Sequence, residues 1–206
     1  MSDHNLQRAY SINGASDAKA LYDDWAKSYD SSFSKSHGYV VPREVARIFQ
    51  SEIGDNTPVL DIGAGTGLLA EHLPGETVDG IDISQAMLDE AAAKGLYRTR
   101  YCADLTKALP MDDATYGGFV SSGTFTHGHV GPEVFPELMR VARPGAVFAC
   151  SVIPPVFDGA GFGSRLALMV AHGLISPVSF YDIPIYENAD HDHAQDRGLI
   201  MVFRKL

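Results

Sequence analysis

The chain reads as an α/β protein built on a doubly wound, mostly parallel sheet, and three observations predict this. The apolar run Val59-Leu60-Asp61-Ile62 drives into glycines at alternate positions, Gly63, Gly65 and Gly67. A second apolar run, Thr77-Val78-Asp79-Gly80-Ile81, ends in a carboxylate at Asp82, 21 positions after Asp61. Strand-like and helix-like stretches then alternate to the end of the chain. A strand buried on both faces is a continuous apolar run, and strand–helix alternation is the pattern of parallel sheets.

The elements follow in order. Ala18, Leu21, Tyr22, Trp25 and Tyr29 recur at helical spacing, which predicts an amphipathic helix with its aromatic residues on one stripe. Residues 1–16 before it are expected to form an ill-ordered lead. A second helix begins at Pro42 and turns Val45, Ile48 and Phe49 inward. After the first strand and its glycine turn, residues 68–73 are compatible with a helix, and residues 77–82 form the second strand. Ser84 can cap a helix whose Met87, Leu88, Ala91 and Ala92 share a face and which Gly95 stops. Residues 98–102 read as the third strand and 116–122 as the fourth. A helix carrying Val134, Phe135, Leu138, Met139 and Ala142 follows, then the turn Arg143-Pro144-Gly145 and a fifth strand over 147–152. Residues 154–163 are a loop by composition. Residues 164–175 read as a helix with two stripes, Leu166, Val170, Leu174 and Arg165, Met169, His172. Residues 178–186 and 199–204 complete the sheet as an antiparallel pair at its edge, giving seven strands.

Bulk properties fit a single domain over residues 1–206, with 45% hydrophobic and 20% charged residues. The formal charge is −10 with 16 basic residues and no Lys/Arg cluster, which argues against nucleic acid as a partner. No stretch reaches the roughly 18 apolar residues of a membrane span. Residues 1–10 lack the basic-then-apolar order of a signal peptide, and Cys102 and Cys150 read as buried, unpaired thiols. Both points lead to the expectation of a reducing cytoplasm.

Ordered local signals extend this frame. They are the Asp61-to-Gly67 turn, Gly80-Ile81-Asp82-Ile83-Ser84, Ala103-Asp104-Leu105, and Arg143-Pro144-Gly145. A further one is Tyr22-Asp23-Asp24-Trp25-Ala26-Lys27-Ser28-Tyr29-Asp30 near the N-terminus. Together they resemble the class I S-adenosylmethionine-dependent methyltransferases. Among these they are most similar to compact bacterial small-molecule enzymes resembling the Williams-Beuren region methyltransferase-like protein. The resemblance covers residues 20–206 and implies a Rossmann-like fold. It also implies S-adenosyl-L-methionine as cofactor and S-adenosyl-L-homocysteine as product. It places Asp61, Gly63, Gly65, Gly67, Ile83 and Met87 at the cofactor, with Asp82 at the ribose hydroxyls. Asp104 is expected at the adenine amine, Leu105 beside the ring, and Ser121 and Ser122 along the methionine moiety. Residues 17–53 become a helical lid, with Tyr22 and Trp25 over the cofactor and Tyr29 beside the sulfonium, where a cation over an aromatic face gains about 0.5–2 kcal/mol.

Methyl transfer from a sulfonium is an in-line displacement, so much of the catalysis lies in holding acceptor and methyl in line. A base is needed only if the acceptor arrives protonated, and His127 and His129, in the loop beyond the fourth strand, are both candidates, His127 ahead. Tyr39, His129 and Arg165 are the expected acceptor-pocket residues; Arg165 would suit an anionic acceptor. Asp190-His191-Asp192-His193 crowds potential ligands, but neighbours on a short hairpin cannot all face one ion, and no metal is expected. The expected activity is transfer to a small-molecule acceptor at oxygen. A protein side chain as acceptor, or a non-catalytic binder of the cofactor, stays open. The spacing G-x-G-x-G with Leu68 speaks against a nicotinamide oxidoreductase. The oligomeric state is open too, a homodimer included.

Overall fold

The computed structural model describes residue 8, residue 12, residues 14–188 and residues 190–206. The expected lead over residues 1–16 therefore lies mostly outside the described residues. Helix α1 (Ala15–Trp25) is followed by a 3-10 turn at Ala26–Ser28 and a π-helical segment at Asp30–Lys35. Helix α2 (Val41–Glu52) starts with Pro42 in its first turn, where the missing N–H is harmless. Strands β1 (Val59–Ile62) and β2 (Val78–Asp82) lead to helix α3 (Gln85–Lys94), then β3 (Arg100–Cys102) and β4 (Tyr116–Phe125). Helix α4 (Phe135–Val141), β5 (Ala142–Val152), α5 (Pro154–Gly159), α6 (Phe162–Ala171), β6 (Ser179–Pro184) and β7 (Arg197–Arg204) complete the chain.

The seven strands form one sheet in the order β3-β2-β1-β4-β5-β7-β6. The pairs from β3 through β5 are parallel, and β7 runs antiparallel to both β5 and β6. β6 thus forms the edge. Side chains alternate between two cores, as the strand period requires. On one face Val45 and Phe49 of α2 pack with Val59, Val120, Val147 and Ile200. On the other, Leu60, Phe119, Phe148 and Phe203 pack with Phe135, Leu138 and Phe162. Phe119, Phe148 and Phe203 stack across three strands at centroid distances of 4.2 and 4.7 Å. Full burial of each such side chain stabilises by about 1.5–3 kcal/mol.

Several local expectations change. The predicted loop after the fifth strand begins as helix α5, because Pro154 and Pro155 occupy its first turn, where their fixed φ suits a helix. The helix-compatible stretch 68–73 contracts to a 3-10 turn at Ala70–His72, cut short by Pro74-Gly75. β4 continues beyond residue 122 through an irregularity between Ser121 and Phe125, which Gly123 permits at φ +86. β5 begins at Ala142, so the Arg143-Pro144-Gly145 turn becomes its irregular start, with Gly145 at φ +81. Cys102 is exposed rather than buried; Cys150 is buried, and both thiols are free. Among the described residues, no helix is long and apolar enough to cross a membrane.

Candidate functional site

The carboxyl ends of β1, β2 and β4 open onto a cleft, the edge at which open α/β sheets bind ligands. Ser84 caps α3 by accepting from the Met87 N–H at 3.1 Å, and Gly95 ends it in the left-handed region. That pins the turn after β2, where the Ser84 N–H and the Gly65 N–H each donate to one oxygen of the Asp82 carboxylate at 2.8 Å. Burial raises the Asp82 pKa above the usual carboxylate range, and these backbone donors oppose the shift. Asp82 lines the cavity, and each of its oxygens can accept a further hydrogen bond.

Two of the loop's glycines serve different ends. A Cβ at Gly63 would lie 1.9 Å from Thr124 Oγ1, whereas one at Gly65 would meet nothing within 4 Å. Gly63 thus lets the loop close on β4, and the open space beside Gly65 belongs to the cavity. Gly67 packs near Leu96 and Tyr97 and does not line it. Ile83, Met87, Asp104, Leu105 and Ser122 do line it, bringing most of the expected cofactor residues to one wall. Asp104 Oδ1 also accepts from Thr106 N and Oγ1, at 2.8 and 2.7 Å, which fixes its carboxylate. The open glycine, the oriented carboxylate at the end of β2 and the apolar slot by Leu105 fit an adenosine-bearing cofactor.

Asp61 and Ser121 lie beneath this surface rather than on it. Ser121 Oγ donates to the Ile62 carbonyl at 2.8 Å, as does Thr124 Oγ1. Asp61 is fully buried, accepts from Tyr97 Oη at 2.7 Å, and leaves Oδ1 without a partner. Burial pushes its pKa up to about 7, against the Tyr97 hydrogen bond that lowers it.

The N-terminal segment covers the cleft through side chains that the sequence reading passed over. Ser84 Oγ donates to Asp23 Oδ1 at 2.6 Å, and Thr66 Oγ1 donates to Asp30 Oδ1 at 2.5 Å. Lys94 pairs with the other oxygen of Asp30 at 2.6 Å. The spacing of the two aspartates in the Tyr-Asp-x-Trp-Ala-x-x-Tyr-Asp element was the available signal. Gly14 N donates to the Gly128 carbonyl at 2.9 Å, tying the start of α1 to the loop after β4.

A second cavity adjoins the first. Tyr22, Tyr29, Tyr39, Gly123 and His129 line both, while Trp25 and His127 line the second alone. Trp25 stands against Tyr29 and Phe33 with centroids 4.9 and 5.4 Å away and donates its indole N–H to Ser32 Oγ. Burial raises the pKa of Tyr29, which stays a neutral phenol. Arg165 is placed elsewhere: it is exposed on α6 and lines neither cavity. The buried stripe of that helix is Phe162, Leu166 and Met169, and Leu168 is 56% exposed. In the Asp190–His193 hairpin, His193 pairs with Asp196 and His191 packs against Tyr186 and His37. No group of three potential metal ligands forms among the described residues.

Comparison with known proteins agrees with this geometry. A family model described as a methyltransferase domain matches residues 60–150. Methyltransferase-like protein 27 of Homo sapiens is 32% identical over 149 residues, covering 69% of this chain and 60% of that protein. The matched part thus spans less than two thirds of the relative. Among solved structures, the 1,6-didemethyltoxoflavin-N1-methyltransferase of Burkholderia thailandensis, with its substrate and S-adenosylhomocysteine bound, matches at TM-score 0.60 and 20% identity, covering 91% of this chain and 88% of that one. The cyclase SpnF matches at TM-score 0.69 and 17% identity over 94% and 97% of the two chains. At such identities the likeness concerns the fold.

Proposed function

We propose that this chain, which belongs to the class I S-adenosylmethionine-dependent methyltransferases, transfers the methyl group of that cofactor to a small-molecule acceptor at oxygen. The observation that carries the reading is the pair of adjoining cavities with shared walls. The first has the residues for the cofactor, and the second is roofed by N-terminal aromatics, a shape suited to a compact acceptor. The cofactor supplies an activated methyl group on a sulfonium. The chain supplies the rest. Asp82 would take the ribose hydroxyls and Asp104 the adenine amine, while Tyr29 and Tyr39 at the junction would hold the acceptor in line.

The test has two arms. Calorimetry with S-adenosylmethionine should give saturable one-to-one binding. Incubation with a panel of small phenols, alcohols, acids and amines should then release S-adenosylhomocysteine and yield a methylated oxygen. Binding without turnover on any panel member, together with methylation of a protein substrate, overturns the small-molecule reading.

A further inference from the structure

His129 and Tyr22 line both cavities, at their junction. Tyr22 Oη and His129 Nε2 are 2.9 Å apart, and His129 Nδ1 is 2.7 Å from the His127 carbonyl oxygen. A carbonyl only accepts, so Nδ1 carries the hydrogen and Nε2 is left with its lone pair. Tyr22 Oη then donates to Nε2 and turns its own lone pairs to the cavity. The backbone holds this tautomer from one side, and α1 is held to the same loop by the Gly14–Gly128 bond.

We propose that Tyr22 and His129 form the proton acceptor of the site, serving an uncharged, hydroxyl-bearing acceptor with an apolar body. The inference rests on the methyl-transfer reading above. Two further observations support it. No Lys, Arg, Asp or Glu lines the second cavity among the described residues, so an ionised acceptor meets no permanent counter-charge there. The walls are instead aromatic and aliphatic, from Trp25, Phe33 and Tyr186 to Ile183 and Ile185. The groups facing His129 are Tyr22 from α1 and His127 from its own loop, and burial holds its imidazole neutral to below the usual histidine range. Burial and the Asp82 charge keep the Tyr22 phenol protonated at rest. Tyr22 therefore relays a proton and does not serve as a free phenolate.

The step balances as follows. The acceptor hydroxyl gives its proton to Tyr22 Oη as Tyr22 gives its own to His129 Nε2. The acceptor oxygen forms a bond to the methyl carbon while the carbon–sulfur bond breaks and its electron pair stays on sulfur. The products are the methyl ether, neutral S-adenosylhomocysteine and an imidazolium at His129, which returns its proton to water.

Two measurements test this on the full chain. Nitrogen NMR of histidine-labelled protein, without acceptor, should show His129 as the Nδ1–H tautomer titrating below 6.5, with Tyr22→Phe shifting the Nε2 resonance. An Nε2–H tautomer overturns the relay whatever the activity. Turnover should favour neutral phenols and alcohols over acids, and kcat should hold through neutral pH and fall only as His129 becomes protonated. Tyr22→Phe and His129→Asn should each lower kcat on the order of 100-fold with the cofactor Kd unchanged within threefold and the melting temperature retained, the size of a lost acid–base contribution. Variants that bind cofactor and turn over at the wild-type rate with a wild-type pH profile overturn the relay and leave methyl transfer standing. Wild-type protein that binds cofactor but methylates nothing overturns the methyl-transfer reading itself.

Discussion

Asp61 illustrates how one buried residue can set a pH dependence. Its folded-state pKa is raised, from 3.8 to about 7, by burial. Below about pH 4 it is protonated in both folded and unfolded chains and costs nothing. As pH rises towards 7 the unfolded chain ionises first, so stability contributed by the neutral buried acid is lost through that window. Three units correspond to on the order of 4 kcal/mol at most. Asp61→Asn keeps an acceptor for Tyr97 and cannot ionise. It should be more stable than wild type at pH 8, with the difference gone by about pH 3, as urea unfolding at the two pH values would show. Asp82→Ala bears on binding instead. Losing a charged hydrogen bond worth about 1.5–3 kcal/mol should weaken cofactor affinity roughly 10- to 150-fold by calorimetry. Unchanged affinity would remove Asp82 from the ribose site. The glycines separate only in part. Both sit in the left-handed region, at φ +68 and +51, so alanine at either should lower the melting temperature, more at Gly63, where its Cβ also meets Thr124; Gly65→Ala should cost cofactor affinity as well.

Among the elements, the N-terminal segment from α1 to the π-helical turn at Asp30–Lys35 is held by few polar contacts. Asp23 engages Ser84, and Asp30 engages Thr66 and Lys94. The partners Lys94 and Asp30 are 25% and 30% exposed, so solvent screens the pair. Each latch then contributes roughly 1 kcal/mol. Replacing both aspartates by alanine should raise the open population of this segment about tenfold or more. Hydrogen exchange over residues 15–35 should speed accordingly, while exchange in β1 and β4 stays unchanged. Equal exchange in the variant would mean that the aromatic packing of Trp25, Tyr29 and Phe33, with the Tyr22–His129 and Gly14–Gly128 hydrogen bonds, keeps the segment closed without the aspartates.

At the scale of the whole molecule, a ligand that binds only the folded chain raises its stability by mass action. S-adenosylmethionine at about 100 times its Kd should add about 2.7 kcal/mol, a shift in melting temperature of roughly 5–10 °C for a chain of this size. Asp82→Ala should remove roughly half to nine-tenths of that shift at the same ligand concentration. Much of the molecule was legible beforehand, because its signals are local. The run Val59–Ile62, the glycines after it, Asp82 at a strand end, and the Ser84 and Gly95 caps each act through neighbours in the chain. These sufficed for the seven-stranded α/β fold and for the family, and most of the residues expected at the cofactor line the first cavity. Composition misled at residues 154–163, where two prolines open a helix instead of preventing one. Apolar patterning misled at Arg165, since hydrophobicity around α6 does not reveal which side faces the sheet. Asp61 and Ser121 sit in the right motifs yet turn beneath the cleft, and strand periodicity alone does not say which end of a side chain meets solvent. The meeting of Tyr22 with His129 joins residues 107 positions apart. Pattern along the chain determined which elements form; only packing across the sheet decided which side chains face each other, because that depends on distances no local spacing encodes.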